Sequence, residues 1–346
     1  MSSMESSLRR KLALWLLACC LMVLATLVVG GVTRLTHSGL SIVEWEPLVG
    51  TVPPLSEQDW LQVFHEYQQT PEYQKVNAGM SLPEFQRIFW WEYWHRLLAR
   101  AIGLVFFLPM AWFWLRRALP GWLKLRLVGM LLLGGLQGAL GWYMVRSGLV
   151  DNPRVSHYRL AAHLGLAFLL CGWMLWTALD ISRPVEGRPW SPRRRSLQRF
   201  GTLLVALVFV MALSGALVAG LRAGLVHNTF PLMDGGLVPP GALMLSPWWR
   251  NFLENPATVQ LDHRLLAWLL AVLVPVFRWR ARGSIGLLRV SLDAMAALFA
   301  LQVGLGIATL LWAVPLPLAA AHQAVALLLF GSVVWVRHEL QAAPPA

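Results

Sequence analysis

Residues 13–33 read ALWLLACCLMVLATLVVGGVT, a run without a single charge. At about 1.5 Å of rise per helical residue, a run of this length crosses a hydrocarbon layer of about 30 Å. Arg9, Arg10 and Lys11 precede it, yet it is too long for the apolar part of a signal peptide and shows no clear small-residue cleavage site. It reads as the first of eight spanning helices. The others are expected at 93–115, 126–146, 159–180, 200–221, 259–279, 288–312 and 318–337. Composition agrees: 57% of the 346 residues are hydrophobic and 13% charged, and there are 19 tryptophans. A soluble domain carries about a quarter charged residues, and tryptophan favours the membrane–water boundary. The three cysteines, Cys19, Cys20 and Cys171, all lie in apolar runs, so no structural disulfide is expected.

The net charge of +12 is distributed unevenly. One set of connections holds 18 of the 29 basic residues, among them Arg116, Arg117, Arg193, Arg194, Arg195, Arg278 and Arg280, against five acids. The opposite set holds 11 basic and 12 acidic residues. The positive-inside rule then places the basic side, with both termini, in the cytoplasm of a bacterial inner membrane. It also accounts for the charge without nucleic acid. The outer side has two long segments, 34 to about 92 and about 222 to 258. In the first, SEQDWLQVFHEY from Ser56 to Tyr67 reads as a short amphipathic helix capped by Ser56. The second is rich in Gly and Pro and is expected to hold little regular structure.

The two halves resemble each other. His-Arg-Leu-Leu occurs at 95–98 and again at 263–266. Gln137 and Gln302 each sit in a Gly-rich helix, and His163 and His322 each follow small residues. Four helices per half is an even number, so the halves share one orientation. The expected fold is an all-α integral membrane protein of two tandem four-helix bundles, 1–190 and 191–346, related by a pseudo-two-fold along the membrane normal.

His95, His163, His263 and His322 each fall within about two turns of the start of an outside-to-inside helix, and hence at one depth near the outer face. Imidazoles in lipid need partners. Two of them on separate helices can face each other across a flat cofactor, and neutral imidazole is a haem-iron ligand. A single such histidine is ordinarily a packing residue; four at repeat-related positions point to haem, and no Cys or carboxylate cluster completes a non-haem metal site in both halves. Arg96, Arg100 and Arg264 are candidate partners for haem propionates, the alternative being snorkelling to headgroups. Glu92 stands three residues before His95, on the same helix face, where Gln260 stands before His263. Only the first half thus has an ionisable group beside its histidine, as proton-coupled chemistry requires. The glycines around Gln137 and Gln302 read as allowing close helix approach. His37, His65, His157 and His227, in outer loops or helix ends, and His338, in the cytoplasmic tail, are assigned no role.

Four motifs carry a resemblance to a known family: Gly30-Gly31-Val32-Thr33-Arg34-Leu35-Thr36 with Ser38-Gly39-Leu40-Ser41; Thr70-Pro71-Glu72-Tyr73-Gln74-Lys75-Val76-Asn77 with Gly79-Met80-Ser81; Phe89-Trp90-Trp91-Glu92 with His95-Arg96; and Asn228-Thr229-Phe230-Pro231-Leu232-Met233. Over nearly its whole length the chain resembles the haem A synthase family, in its proteobacterial and mitochondrial branch. Other bacterial members carry a cysteine pair in the first outer loop; this chain has none there. The resemblance implies oxidation of the C8 methyl of haem O to a formyl group, by two hydroxylations and loss of water, giving haem A. It implies that Glu92, His95 and His163 serve the substrate half, and that His263 and His322 hold a haem b cofactor. It further implies haem O synthase upstream, cytochrome oxidase assembly factors downstream, membrane lipid around the bundle and an electron acceptor of unspecified identity, and leaves room for a homo-oligomer. The rival readings are a two-haem b-type cytochrome that only passes electrons, a haem carrier, and a structural assembly subunit.

Overall fold

The computed structural model describes residues 5–43, 51–149, 155–183 and 191–341. The half boundary at 190, and Glu186 and Arg188 of the basic segment, lie outside the described residues. Eight helices are long and apolar enough to cross a membrane: α1 (Ser6–Leu35), α4 (Leu82–Leu115), α5 (Gly121–Gly148), α6 (His157–Ser182), α7 (Pro192–Gly220), α9 (Pro256–Arg280), α10 (Gly286–Leu311) and α11 (Leu316–Glu339). Between them stand the short helices α2 (Glu57–Gln68), α3 (Pro71–Lys75) and α8 (Asn251–Glu254). Among the described residues there is no strand. The segment before α9 holds only α8 and two three-residue turns of helix, as its Gly and Pro content predicts.

Local chemistry sets the helix starts. At α2 the Ser56 hydroxyl accepts from Asp59 N while Asp59 accepts from Ser56 N, a reciprocal cap. The start of α4 differs from the sequence reading. Hydropathy places it at 93, but the helix begins at Leu82, with Pro83 in its first turn and Ser81 and Glu84 forming another capping box. Charged and amide residues between 82 and 92 depress the hydropathy there without weakening the helix. The same holds for α7, which starts at Pro192 behind a Ser191 cap and runs through four arginines before its apolar stretch.

The chain forms two compact units, Leu21–His163 and Met1–Cys20 with Leu164–Ala346. In the first, α4 packs on α5 and on α2. Tyr67, Phe85, Phe89 and Tyr93 form a buried aromatic plate, with Trp60, Phe64 and Tyr73 against it. This plate holds α2 and α3 on the first three turns of α4. In the second unit, α7 packs on α9 and α11, and α10 packs on α9 and α11. The Gly172 position lets α6 approach α11, since a Cβ there would meet the Phe330 ring at 2.8 Å.

A polar clasp closes one end of the second unit. His338, placed by the sequence reading in the tail beyond the last span, belongs to the last turn of α11 and is fully buried; its Nε2 lies 3.0 Å from Asp180 Oδ1 on α6. Next to it Arg183 donates to Glu339 Oε1 at 2.9 Å, and Arg194 on α7 donates to the Glu339 and Leu340 carbonyls. Those carbonyls end α11 and need donors. Asp180→Ala is expected to lower the unfolding free energy by about 1–3 kcal/mol by leaving a buried imidazole without that acceptor. Thermal unfolding in detergent measures it.

Candidate functional site

The four histidines sit 20, 19, 17 and 17 residues before the C-terminal ends of α4, α6, α9 and α11. That is about 26–30 Å of helix in each case, one bilayer core above those ends. His163, His263 and His322 are within about two turns of their helix starts, as expected. His95 is 13 residues into α4, because α4 begins three turns early.

Each histidine rests on a glycine. A Cβ built on Gly30 would lie 2.5 Å from His95 Cε1, and one on Gly141 would lie 3.0 Å from His163 Cε1. In the second unit the corresponding distances are 3.3 Å from Gly215 to His263 and 3.0 Å from Gly306 to His322. The glycine reading from sequence is therefore corrected. Gly134, Gly135, Gly138 and Gly304 have nothing near them, whereas Gly141 and Gly306, each four residues after its glutamine, make room for an imidazole. His163 lies within Coulombic reach of His95, and His322 within reach of His263. The structure thus brings together one histidine pair in each unit.

Hydrogen bonding fixes the rings. His95 Nδ1 is 3.1 Å from the Thr26 carbonyl. A carbonyl only accepts, so Nδ1 carries the proton and Nε2 presents its lone pair, the form a metal needs. His263 Nδ1 is 3.2 Å from Ser214 Oγ, the residue beside its glycine. Gln137 Nε2 lies 3.4 Å from His163 Nε2, and Gln302 Nε2 3.3 Å from His322 Nε2. Among the described residues, Nδ1 of His163 and Nδ1 of His322 are buried without a partner. The paired histidines, each seated on a glycine, fit a haem in each unit, with Gln137 and Gln302 beside the Nε2 atoms of His163 and His322 that would meet the iron. No group of three or more His, Cys, Asp or Glu side chains among the described residues could hold another kind of metal.

Beside each first histidine stands a residue paired with an arginine one turn later. Glu92, 2% exposed, accepts from Arg96 Nε at 3.0 Å and Nη2 at 2.6 Å through Oε1. Its Oε2 accepts from the Ser41 hydroxyl at 2.8 Å and from Ile42 N at 2.9 Å. Gln260 instead donates to the Ala223 and His227 carbonyls, and its Oε1 faces Arg264 Nη2 at 3.4 Å. The loop is tied down in both units, but by a charged acceptor in one and a neutral donor in the other. Arg96 also donates to Ile42 O, and Arg264 to His227 O, so both arginines bind carbonyls of the long connecting segments. Arg100 follows one turn below Arg96 on α4 and is partly buried.

The motif from Gly30 to Ser41 now has a physical account. Gly30 seats His95, the Thr33 hydroxyl donates to Trp91 O at 3.0 Å, and Ser41 reaches Glu92. The motif is a brace for the segment of α4 that carries both site residues. His227, assigned no role from sequence, is 5% exposed, with Nδ1 2.6 Å from Asp234 Oδ2. That contact, above all, holds the Asp234 carboxyl below its ordinary range.

Fold and site together define a polytopic membrane protein with a duplicated pair of histidine seats. Residues 13–334 match the COX15-CtaA family of cytochrome oxidase assembly proteins, and the chain belongs to that family. It is 58% identical over 337 residues to the haem A synthase of Nitrosospira multiformis, covering 97% of this chain and 95% of that one. It is 52% identical to the haem A synthase of Nitrosomonas eutropha, over 95% of this chain and 93% of the relative. With the haem A synthase of Paramagnetospirillum magneticum the identity is 49%, over 98% and 96%.

Proposed function

We propose that this chain is a haem A synthase, an oxidoreductase converting the C8 methyl of haem O to a formyl group. The observation that carries the reading is the asymmetry between two otherwise matching histidine seats: a carboxylate–arginine pair adjoins one and an amide–arginine pair the other. The half 1–190 takes haem O, with His95 and His163 on its iron and Glu92 fixing the brace that positions His95. The half 191–346 holds haem b through His263 and His322, with Arg264 beside them; when bound, that group supplies one-electron chemistry. Arg96 and Arg100, on the same helix as His95, are the side chains that would hold its propionates. Holding the substrate's iron places one ring methyl in one pose, and that is the protein's main contribution to rate.

The halves are related by a pseudo-two-fold along the membrane normal, a reading supported by the shared Gln-x-x-x-Gly spacing beneath His163 and His322. The charge bias of the connections supports a bacterial inner membrane with both termini in the cytoplasm. Haem O then arrives from a haem O synthase, and haem A leaves toward cytochrome oxidase assembly.

The test is expression in a bacterium that makes haem O but not haem A, with extracted haems resolved by chromatography and mass detection. A haem A peak dependent on the gene is the expected result. Haem b on the purified protein with haem O unchanged, in a host where a known haem A synthase works, would favour an electron-transfer protein or a haem carrier instead.

A further inference from the structure

The arginines that end α9 have no part in the histidine seats, and they stand at the mouth of a groove. The groove runs between α9 and α10 and has a volume of about 780 Å³. Ala271, Val274 and Pro275 of α9 line one wall, and Ala296, Ala300 and Val303 of α10 line the other. Each set recurs at three- and four-residue steps, so each is one face of its helix. The alanines make the space, because methyl groups on facing spans are too short to fill it. Pro275 and Ala300 are exposed, so the groove opens onto the outside of the bundle. From Ala271 to Arg282 it follows about 17 Å of helix, close to one leaflet of a hydrocarbon core of about 30 Å.

Positive charge gathers at one end. Arg278, Trp279 and Arg282 line the groove there. Arg278 donates to Asp293 Oδ1 at 3.0 and 2.6 Å, and Arg289 Nε lies 3.7 Å from the other oxygen of the same carboxyl. Two arginines thus share that carboxylate, and among the described residues no acid pairs with Arg282. The Arg282 guanidinium carbon lies 4.8 Å from the Trp279 ring centroid, a cation–π contact that holds it at the mouth and leaves N–H groups for an acceptor. Arg193 of α7 donates to the Arg280 and Arg282 carbonyls at 3.0 and 2.8 Å, which brings a further cation to the same turn. Arg193, Arg278, Arg282 and Arg289 are therefore gathered with a single acid, Asp293.

We propose that the groove binds one anionic phospholipid of the leaflet at the arginine end, with its phosphate on Arg282 and an acyl chain between α9 and α10. The two parts of the site select different parts of the lipid. An arginine that merely reaches the interface holds a headgroup but fixes no chain. An apolar groove alone takes any acyl chain. Together they favour a negative headgroup at a fixed place between two spans. Trp279 lies beside the phosphate position, the level at which an indole favours the interface. The lipid would join α9, which carries His263, to α10, which carries Gln302, and its binding does not depend on what the histidine seats hold.

The experiment is native mass spectrometry of the full-length protein, delipidated in detergent and titrated with phosphatidylglycerol or with phosphatidylcholine of the same acyl chains. The expected result is one phosphatidylglycerol per chain that survives activation strong enough to strip phosphatidylcholine. The unfolding temperature should rise with phosphatidylglycerol concentration, since the lipid binds only the folded bundle. Arg282→Ala should weaken this binding by about fivefold, and Arg282→Lys, which keeps the charge, should retain most of it. Ala300→Phe fills the groove and should abolish the tightly held lipid. Ala297→Phe, on the same helix but outside the groove, should keep it. Unfolding of each variant without lipid separates loss of the site from loss of the fold, and if Ala300→Phe does not fold, the two Arg282 variants decide. Equal retention of the two lipids would overturn the proposal, as would unchanged binding in folded Arg282→Ala or Ala300→Phe protein. Displacement of the lipid by inorganic phosphate alone would overturn it in favour of a simple anion site. A lipid-free dimer dissociated by Ala300→Phe would overturn it in favour of a second copy of the chain.

Discussion

Gly30→Ala is expected to lower haem A formation by about two orders of magnitude, nearly as far as deletion of the His95 imidazole, in a protein that still folds. The added methyl would lie 2.5 Å from Cε1 and 2.9 Å from Nδ1 of His95. The ring cannot retreat freely, because Nδ1 is held by the Thr26 carbonyl on the same helix as the new methyl. It must rotate, and rotation gives up the bond that keeps the lone pair on Nε2. Ligand placement matters at about 0.5 Å, and a misplacement of about 1 Å costs on the order of a hundredfold in rate. The four seats grade the effect. Gly141→Ala and Gly306→Ala should be less severe, and Gly215→Ala, with 3.3 Å of clearance, the mildest. Gly138→Ala, one turn from Gly141 in open space, is the control and should keep turnover near that of the unsubstituted protein. Haem A per unit of purified protein, together with the absorption spectrum of the bound haem, reads out the series. Equal turnover in Gly30→Ala and Gly138→Ala would show that the glycines do not seat the ligands.

Glu92→Ala is expected to destabilise the protein by about 3–5 kcal/mol, the usual result of removing one partner from a buried ion pair. It would leave Arg96, whose side chain is 11% exposed, without its carboxylate, and the Ser41 hydroxyl and Ile42 N–H without their acceptor. Because that strap holds the chain from Gly30 to Ser41 against α4, the loss reaches His95. Arg96→Leu in the Glu92→Ala background should recover part of the stability, since no unpaired charge remains. Glu92→Gln should fall between, because its amide oxygen can still accept from Arg96 while its N–H₂ replaces the oxygen that accepts from the Ser41 hydroxyl and the Ile42 N–H. Denaturant unfolding in detergent gives the stabilities, and full turnover in Glu92→Gln would dismiss a catalytic role for the Glu92 carboxylate.

The eight spans were legible because a run of twenty or so mostly apolar residues with few charges has one physical solution in a chain this apolar. The cap at Ser56 was legible because its partner Asp59 is three residues away. The start of α4 was equally local, in Ser81, Pro83 and Glu84, but a hydropathy average hides it behind Arg87 and Glu92. The histidines could be paired from the repeat, whereas their seats could not. Which glycine lies under which ring depends on helix rotation, and the only trace in the sequence is the common spacing from Gln137 to Gly141 and from Gln302 to Gly306. Glu72 stands in the motif from Thr70 to Asn77, which marks a resemblance without showing burial; only the fold shows that it is 5% exposed.

At 34 residues, α4 is about 51 Å long, well beyond the thickness of a bilayer core. Its one internal proline, Pro109, comes 14 residues after His95, so the stretch from Leu82 to His95 is unbroken helix. The aromatic plate and the imidazole are two fixtures on one beam, with no joint between them. Any force that tips the plate turns His95 by the same angle, and any shift of the ligand as substrate enters or product leaves shows at the rim of the plate. A fluorophore or spin label at exposed Leu61, on the solvent face of α2, would report the occupancy of a site it never touches.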